Sequence, residues 1–141
     1  MEQFEYSSLI LAPVEKVFAF HERADAIQLL TPAIMMPRVT RLRGSGLEAG
    51  VELIVTTLAG PWHARHTAYE KNRLFVDEIV EGPMKQWRHE HRFTTEGPYT
   101  RLTDSIRFVP KGPAFLVKLG LTGLFWFRHR VTKRWCEGPQ A

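Results

Sequence analysis

The residues best equipped for chemistry are three histidines and two aspartates in the middle of the chain: His66, Asp77, His89, His91 and Asp104. Successive side chains of a strand alternate between faces. A strand through residues 85–95 therefore sends Trp87, His89, His91 and Phe93 one way and Gln86, Arg88, Glu90 and Arg92 the other, toward solvent. On the following strand Leu102, Asp104, Ile106 and Phe108 make the apolar-rich set, so Asp104 stands among inward residues. A two-residue turn at Gly97-Pro98 sets His91 opposite Asp104, and a turn two residues longer sets His89 there. Either register pairs a histidine with that carboxylate. One hairpin earlier, a Lys71-Asn72 turn aligns His66 with Asp77 and puts Ala64 and Ala68 on the face of Phe75 and Ile79. If that face is the inner one, the five polar groups form a band across an apolar concavity. With Leu74, Val76 and Val80 inside instead, Asp77 points outward.

Such a band has three uses. Its members can satisfy one another, because a buried polar group without a partner costs roughly 1–3 kcal/mol. They can be the few placed polar contacts of a mainly apolar ligand pocket. A histidine beside an aspartate can also serve as a general base near neutral pH, and His89 and His91 at i, i+2 share a face as metal-binding strands use, with a third ligand to come from His66, Asp77 or Asp104. Neither a nucleophile nor a recognisable metal spacing accompanies them, so no metal and no cofactor is expected. Ser7-Ser8 and Thr56-Thr57 lie in strands without an elbow motif, and Gly44, Gly46 and Gly50 do not follow the strand-to-helix phosphate pattern. The expected ligand-binding set is His66, Asp77, Trp87, His89, His91, Phe93 and Asp104 from the sheet, with Leu124 and Phe127 from a helix above it.

The elements that must position these residues are legible in order. Phe4 to Leu11 reads as a strand, and Pro13 opens a helical stretch that breaks near Glu22-Arg23-Ala24-Asp25 and ends at Thr31-Pro32, giving two short helices. A strand over residues 38–42 and five more, separated by Gly-, Pro- and Asn-containing turns, run as a meander to Val109. Ala114 to Trp135 then reads as one long helix with Leu116, Gly120, Leu124, Phe127, Val131 and Trp135 on its packed stripe and Lys118, Arg128, Arg130, Lys133 and Arg134 on its basic face. The implied class is α+β, an antiparallel sheet curled around a C-terminal helix.

Phe75-Val76-Asp77, Gly82-Pro83, the run Trp87 to Phe93 and Thr103-Asp104-Ser105-Ile106, together with this order of elements, resemble the helix-grip superfamily SRPBCC. That group includes START lipid-transfer domains, polyketide cyclase/dehydrases and the birch-pollen-allergen proteins; the closer resemblance is to its bacterial ligand-binding branch. The resemblance implies a cavity between sheet and helix, and implies no particular reaction. It also implies, for some members, a partner oxidoreductase domain resembling nucleotide-sugar epimerases.

Composition bounds the rest. A chain of 141 residues, 44% hydrophobic, is expected to fold as one domain spanning 1–141. Cys136 is the single cysteine, so no intramolecular disulfide exists, and the acidic start Met1-Glu2-Gln3-Phe4-Glu5 lacks the character of a secretory signal. A cytoplasmic location is expected. Net charge is +4 but dispersed along the chain, so nucleic acid is not an expected partner. Phe125-Trp126-Phe127 beside Arg128-His129-Arg130 has the look of an interfacial belt, on a helix too short and too interrupted by Lys118 to span a bilayer. The leading expectation is reversible binding of a small hydrophobic or amphipathic molecule. The alternatives are acid–base chemistry of a cyclase or dehydratase kind at the band, and docking to a membrane surface or a protein through the last helix.

Overall fold

A computed structural model describes residues 1–138. Strand β1 (Glu2–Ile10) is followed by helices α1 (Val14–Glu22) and α2 (Ala26–Leu29) and a 3-10 turn at Ala33–Met35. Then come β2 (Arg38–Arg43), β3 (Glu52–Thr57), β4 (Gly60–Glu70), β5 (Leu74–Glu81), β6 (Met84–Glu96), β7 (Tyr99–Pro110) and the long helix α3 (Ala114–Glu137). The seven strands form one antiparallel sheet in the order β1-β7-β6-β5-β4-β3-β2, so the meander is closed by β1 returning beside β7. This is the α+β helix-grip arrangement, with a curved sheet holding α3.

Turn chemistry sets the registers that matter. Gly97 supplies the positive φ of +59° at the first central position of a two-residue turn, and Pro98 fixes the second. Glu96 consequently pairs with Tyr99, and counting back brings His91 opposite Asp104 and His89 opposite Ile106. At the other hairpin Asn72 takes the left-handed conformation, φ +61°, and His66 pairs with Asp77. The β5–β6 pairing then places Asp77 opposite His89 and Phe75 opposite His91.

The interior is divided. One apolar cluster gathers Ile10, Val17, Phe18, Phe20, Phe75, Phe93, Leu102 and Cys136 around α1, and a second gathers Trp87, Ile106, Phe108, Leu121 and Phe125 beneath the first half of α3. Between them, on the same faces of β6, β7 and α3, lie the buried polar residues His89, His91, Asp104, His129 and Thr132.

The packed stripe of α3 differs from the expected one. The buried residues are Leu121, Phe125, His129, Thr132 and Cys136, whereas Leu116, Gly120 and Trp135 are exposed and Leu124, Phe127 and Val131 only partly covered. The helix is rotated by about one residue from the apolar-count solution because the sheet presents Asp104, and His129 turns inward to meet it. Arg128, expected on the basic solvent face, is drawn in as well: its Nε donates to the Leu30 carbonyl at 3.0 Å. The far end of α3 is tied to β1 by the backbone N–H of Leu11, which donates to Glu137 Oε2 at 2.7 Å.

Candidate functional site

Asp104, 4% exposed, is the hub of the polar band. Its Oδ1 accepts from His89 Nε2 at 2.7 Å and faces His91 Nδ1 at 3.2 Å, and its Oδ2 accepts from His129 Nε2 at 2.6 Å. His129 Nδ1 in turn lies 2.5 Å from the Ser8 hydroxyl on β1, which donates to it once the Nε2 proton is committed to Asp104. On the opposite side, His91 Nε2 donates to Asp77 Oδ2 at 2.8 Å, His89 Nδ1 lies 3.6 Å from the same oxygen, and Trp87 Nε1 donates to Asp77 Oδ1 at 3.3 Å. The His89 and His91 rings stack at 3.6 Å between the two carboxylates.

The electrostatics follow from this sandwich. Burial alone would push Asp104 up, but hydrogen bonds from His129, His89 and His91 outweigh it and hold the carboxyl well below its ordinary range. Asp77 is likewise raised by burial and brought down to about 2 by the His91 hydrogen bond and the charges of His89 and His91. For His91, burial opposes the charged form, yet Asp104 and Asp77 on its two nitrogens win and raise it. His89 goes the other way, lowered by burial and by its charged neighbour His91. The two stacked rings are thus pushed in opposite directions, the charged form being favoured at His91 and disfavoured at His89.

Beside this band lies a cavity of about 300 Å³, at the low end of the size range of small-molecule sites. Leu30, Leu53, Val55, Trp62, Leu121 and Leu124 give it apolar walls; Asp77, Trp87, His89 and His91 form its polar floor. Trp62 meets Trp87 edge to face at 4.7 Å. Arg128 and His21 also line it. His21 Nδ1 donates to the Val17 carbonyl at 2.9 Å, and burial depresses its imidazolium to about 4.

Of the residues expected from the sequence, His66, Asp77, Trp87, His89, His91 and Leu124 line this cavity. Asp77 faces inward, which resolves the β5 alternative. His66 faces the cavity but donates Nδ1 to the Leu47 carbonyl at 2.9 Å rather than joining the carboxylate network. Asp104 sits behind the histidines. Two other expected residues also lie off the cavity lining. Phe93 packs in the α1 cluster against Phe18 and His21, not on the cavity, because two further residues along β6 carry it beyond the polar band. Phe127 is excluded from the cavity lining by the rotation of α3, which presents Leu124 and Arg128 instead. Unforeseen members are His129, Ser8, Arg128 and His21; the spacing Leu121, Phe125, His129 was the available signal for the first of them.

Residues 62–136 match the family model described as Domain of unknown function (DUF8410). No curated protein matches the chain. Among solved structures, the chain is similar to part of a nucleoside-diphosphate sugar epimerase from Corynebacterium glutamicum, at 28% identity over 93% of this chain and a TM-score of 0.74; it spans only 28% of that protein's length. It is similar in fold to norcoclaurine synthase from Thalictrum flavum, solved with dopamine and hydroxybenzaldehyde, at 10% identity over 99% of this chain and 88% of that one, TM-score 0.77. Ara h 8.0201 gives 19% identity, 92% and 97% coverage and a TM-score of 0.63.

Proposed function

Because the chain belongs to the DUF8410 family, a domain of unknown function built here on the helix-grip scaffold of START-like proteins, we propose that it binds a small apolar or amphipathic molecule between sheet and α3, with residues 1–141 acting as one binding domain. The observation that carries this reading is the cavity itself: mainly apolar walls, a floor of Asp77, Trp87, His89 and His91, and a few further polar side chains such as His21, His66 and Arg128. Such a site orients an amphipathic ligand by its head and leaves selection of the tail to shape. An oxygen-bearing head is the best match, since Arg128 lines the cavity and carries N–H donors besides the Nε given to the Leu30 carbonyl.

Native mass spectrometry of gently purified protein, followed by identification of released small molecules and titration with an apolar fluorescent dye, tests the reading. Uptake of one molecule per chain is expected, and Ala64→Leu, which adds bulk to the cavity wall, is expected to abolish it while the fold persists. An unliganded mass, with dye binding absent or unaffected by Ala64→Leu, overturns it.

A second reading, docking on an anionic membrane, is favoured by the outer face of α3. Phe115, Leu119 and Trp126 are 71%, 70% and 52% exposed, and Arg130 covers the Trp126 ring at 5.0 Å. Aromatic and basic residues on one exposed helix face suit an interface. Among the described residues no helix is long and apolar enough to cross a membrane. Vesicles of anionic lipid should bind the protein, and should bind Trp126→Ala less; indifference of both to vesicles removes the reading.

A further inference from the structure

We propose that His89 Nδ1, His91 Nε2 and Asp77 Oδ2 form a binding site for one divalent first-row transition ion, Zn²⁺ being the probe of choice, on the floor of the cavity. One ligand atom from each of the three residues lies within 4.8 Å of the others, and Asp77 Oδ2 is 2.8 Å from His91 Nε2 and 3.6 Å from His89 Nδ1. Ligand bonds of about 2.0–2.2 Å in tetrahedral geometry separate ligand atoms by roughly 3.3–3.5 Å, which those two distances bracket. Seating the ion requires the two rings, inclined at 27°, to splay further and the proton between His91 and Asp77 to leave.

What distinguishes this cluster from a chance meeting of polar groups is the opposite edge of each ring. Metal-binding histidines characteristically donate their second nitrogen to a carboxylate, which fixes the tautomer and raises the basicity of the ligating atom. Here one oxygen, Asp104 Oδ1, receives His89 Nε2 at 2.7 Å and lies 3.2 Å from His91 Nδ1. Asp104 thereby holds the rear nitrogen of both rings, leaving His89 Nδ1 and His91 Nε2 on the Asp77 side, where further splaying would turn them toward one ion. Asp104 is itself held by His129 Nε2, and Asp77 by the Trp87 indole on its other oxygen, so the ligands and their supports are both in place. Once both imidazoles are neutral, buried Asp104 and partly buried Asp77 leave a charge of −2, which a divalent cation balances. Two imidazoles and a carboxylate suit zinc, iron and similar ions, and three protein ligands leave a coordination position open. That position faces the cavity, where it would meet an oxygen atom of a bound molecule. The metal site stands apart from the apolar-ligand reading, since it is filled or empty with metal alone.

The experiment strips the protein with chelator, titrates it with Zn²⁺ by calorimetry and with Co²⁺ by visible absorption, and locates the ion by anomalous scattering from Zn²⁺-soaked crystals. One ion per chain on these three residues is expected. Asp77→Asn and His91→Gln should each weaken binding by at least 100-fold, and Asp104→Asn, a positioning change, by about 10- to 100-fold. His63→Gln, which disrupts a surface pair with Glu52, should leave it unchanged. No Zn²⁺ uptake, an ion located elsewhere, or uptake indifferent to Asp77→Asn and His91→Gln overturns the proposal. Should those variants fail to fold, the anomalous map of the unaltered protein decides. Dye uptake without Zn²⁺ uptake would overturn the metal site and leave the apolar-ligand reading standing; the reverse would do the opposite.

Discussion

At the scale of single residues, Asp104 carries the greatest consequence. It is buried and is engaged by three histidines. Asp104→Asn keeps the shape but removes the charge and most of the acceptor capacity, so His91 loses one carboxylate partner and His89 and His129 compete for a single oxygen. Breaking a buried ionic network on one side costs about 3–5 kcal/mol, and chemical denaturation should show a loss of that order. Ser8→Ala, which removes only a hydroxyl from His129 Nδ1, should cost about 1 kcal/mol. His21 gives the clearest pH signature. Its folded-state value of about 4 is below the ordinary 6.5, so the unfolded chain binds the extra proton first. The contribution is fully present above pH 6.5 and is lost as pH falls toward 4. The charged groups felt by His21 are His91 and Asp104 on the sheet and His129 on α3, with burial dominant. A shift of this size corresponds to about 3 kcal/mol, and His21→Gln should flatten the stability profile between pH 6.5 and 4 by that order.

At the scale of elements, neighbouring residues of α3 should behave in opposite ways. Phe125, 1% exposed, packs edge-on against His89 at 5.2 Å, whereas Trp126 points to solvent. Phe125→Ala should cost about 3–5 kcal/mol and Trp126→Ala less than about 0.5 kcal/mol in thermal or denaturant unfolding. That contrast separates the observed helix orientation from the one inferred from apolar residues alone. The strands were readable because period-two alternation survives even where the inward residues are histidines: Trp87 and Phe93 flank His89 and His91 and declare the face. Gly97-Pro98 then left little freedom in register. The helix was less legible because its packed stripe contains a histidine and a threonine that face polar partners, so counting apolar residues moved the stripe toward Leu124 and Phe127. His129 was read with Arg128 and Arg130 as part of a basic cluster. Only the position of Asp104 across the interior explains why it turns inward, and that is a long-range fact. His21 was hidden for a similar reason, since a histidine at helical spacing among apolar residues carries no mark of the cavity it borders.

At the scale of the whole molecule, cavity and polar band lie where the sheet, α2 and α3 meet, so a bound molecule touches several elements at once. A ligand that binds only the folded state stabilises it by mass action, about 2.7 kcal/mol at a free concentration 100 times the dissociation constant. Thermal unfolding should therefore rise with ligand concentration, and Ala64→Leu should abolish the rise.

The contact between Trp62 and Trp87 at the cavity wall gives the protein an intrinsic optical gauge. Two indoles 4.7 Å apart and nearly perpendicular couple their excited states, and one of them is hydrogen-bonded to Asp77. Occupation of the floor, by an ion or by an oxygen-bearing head group, would alter the local field at Trp87. It should thus change the near-ultraviolet circular dichroism and the emission of the unlabelled chain, whereas Trp126 and Trp135, both exposed, contribute a background that external quenchers can remove.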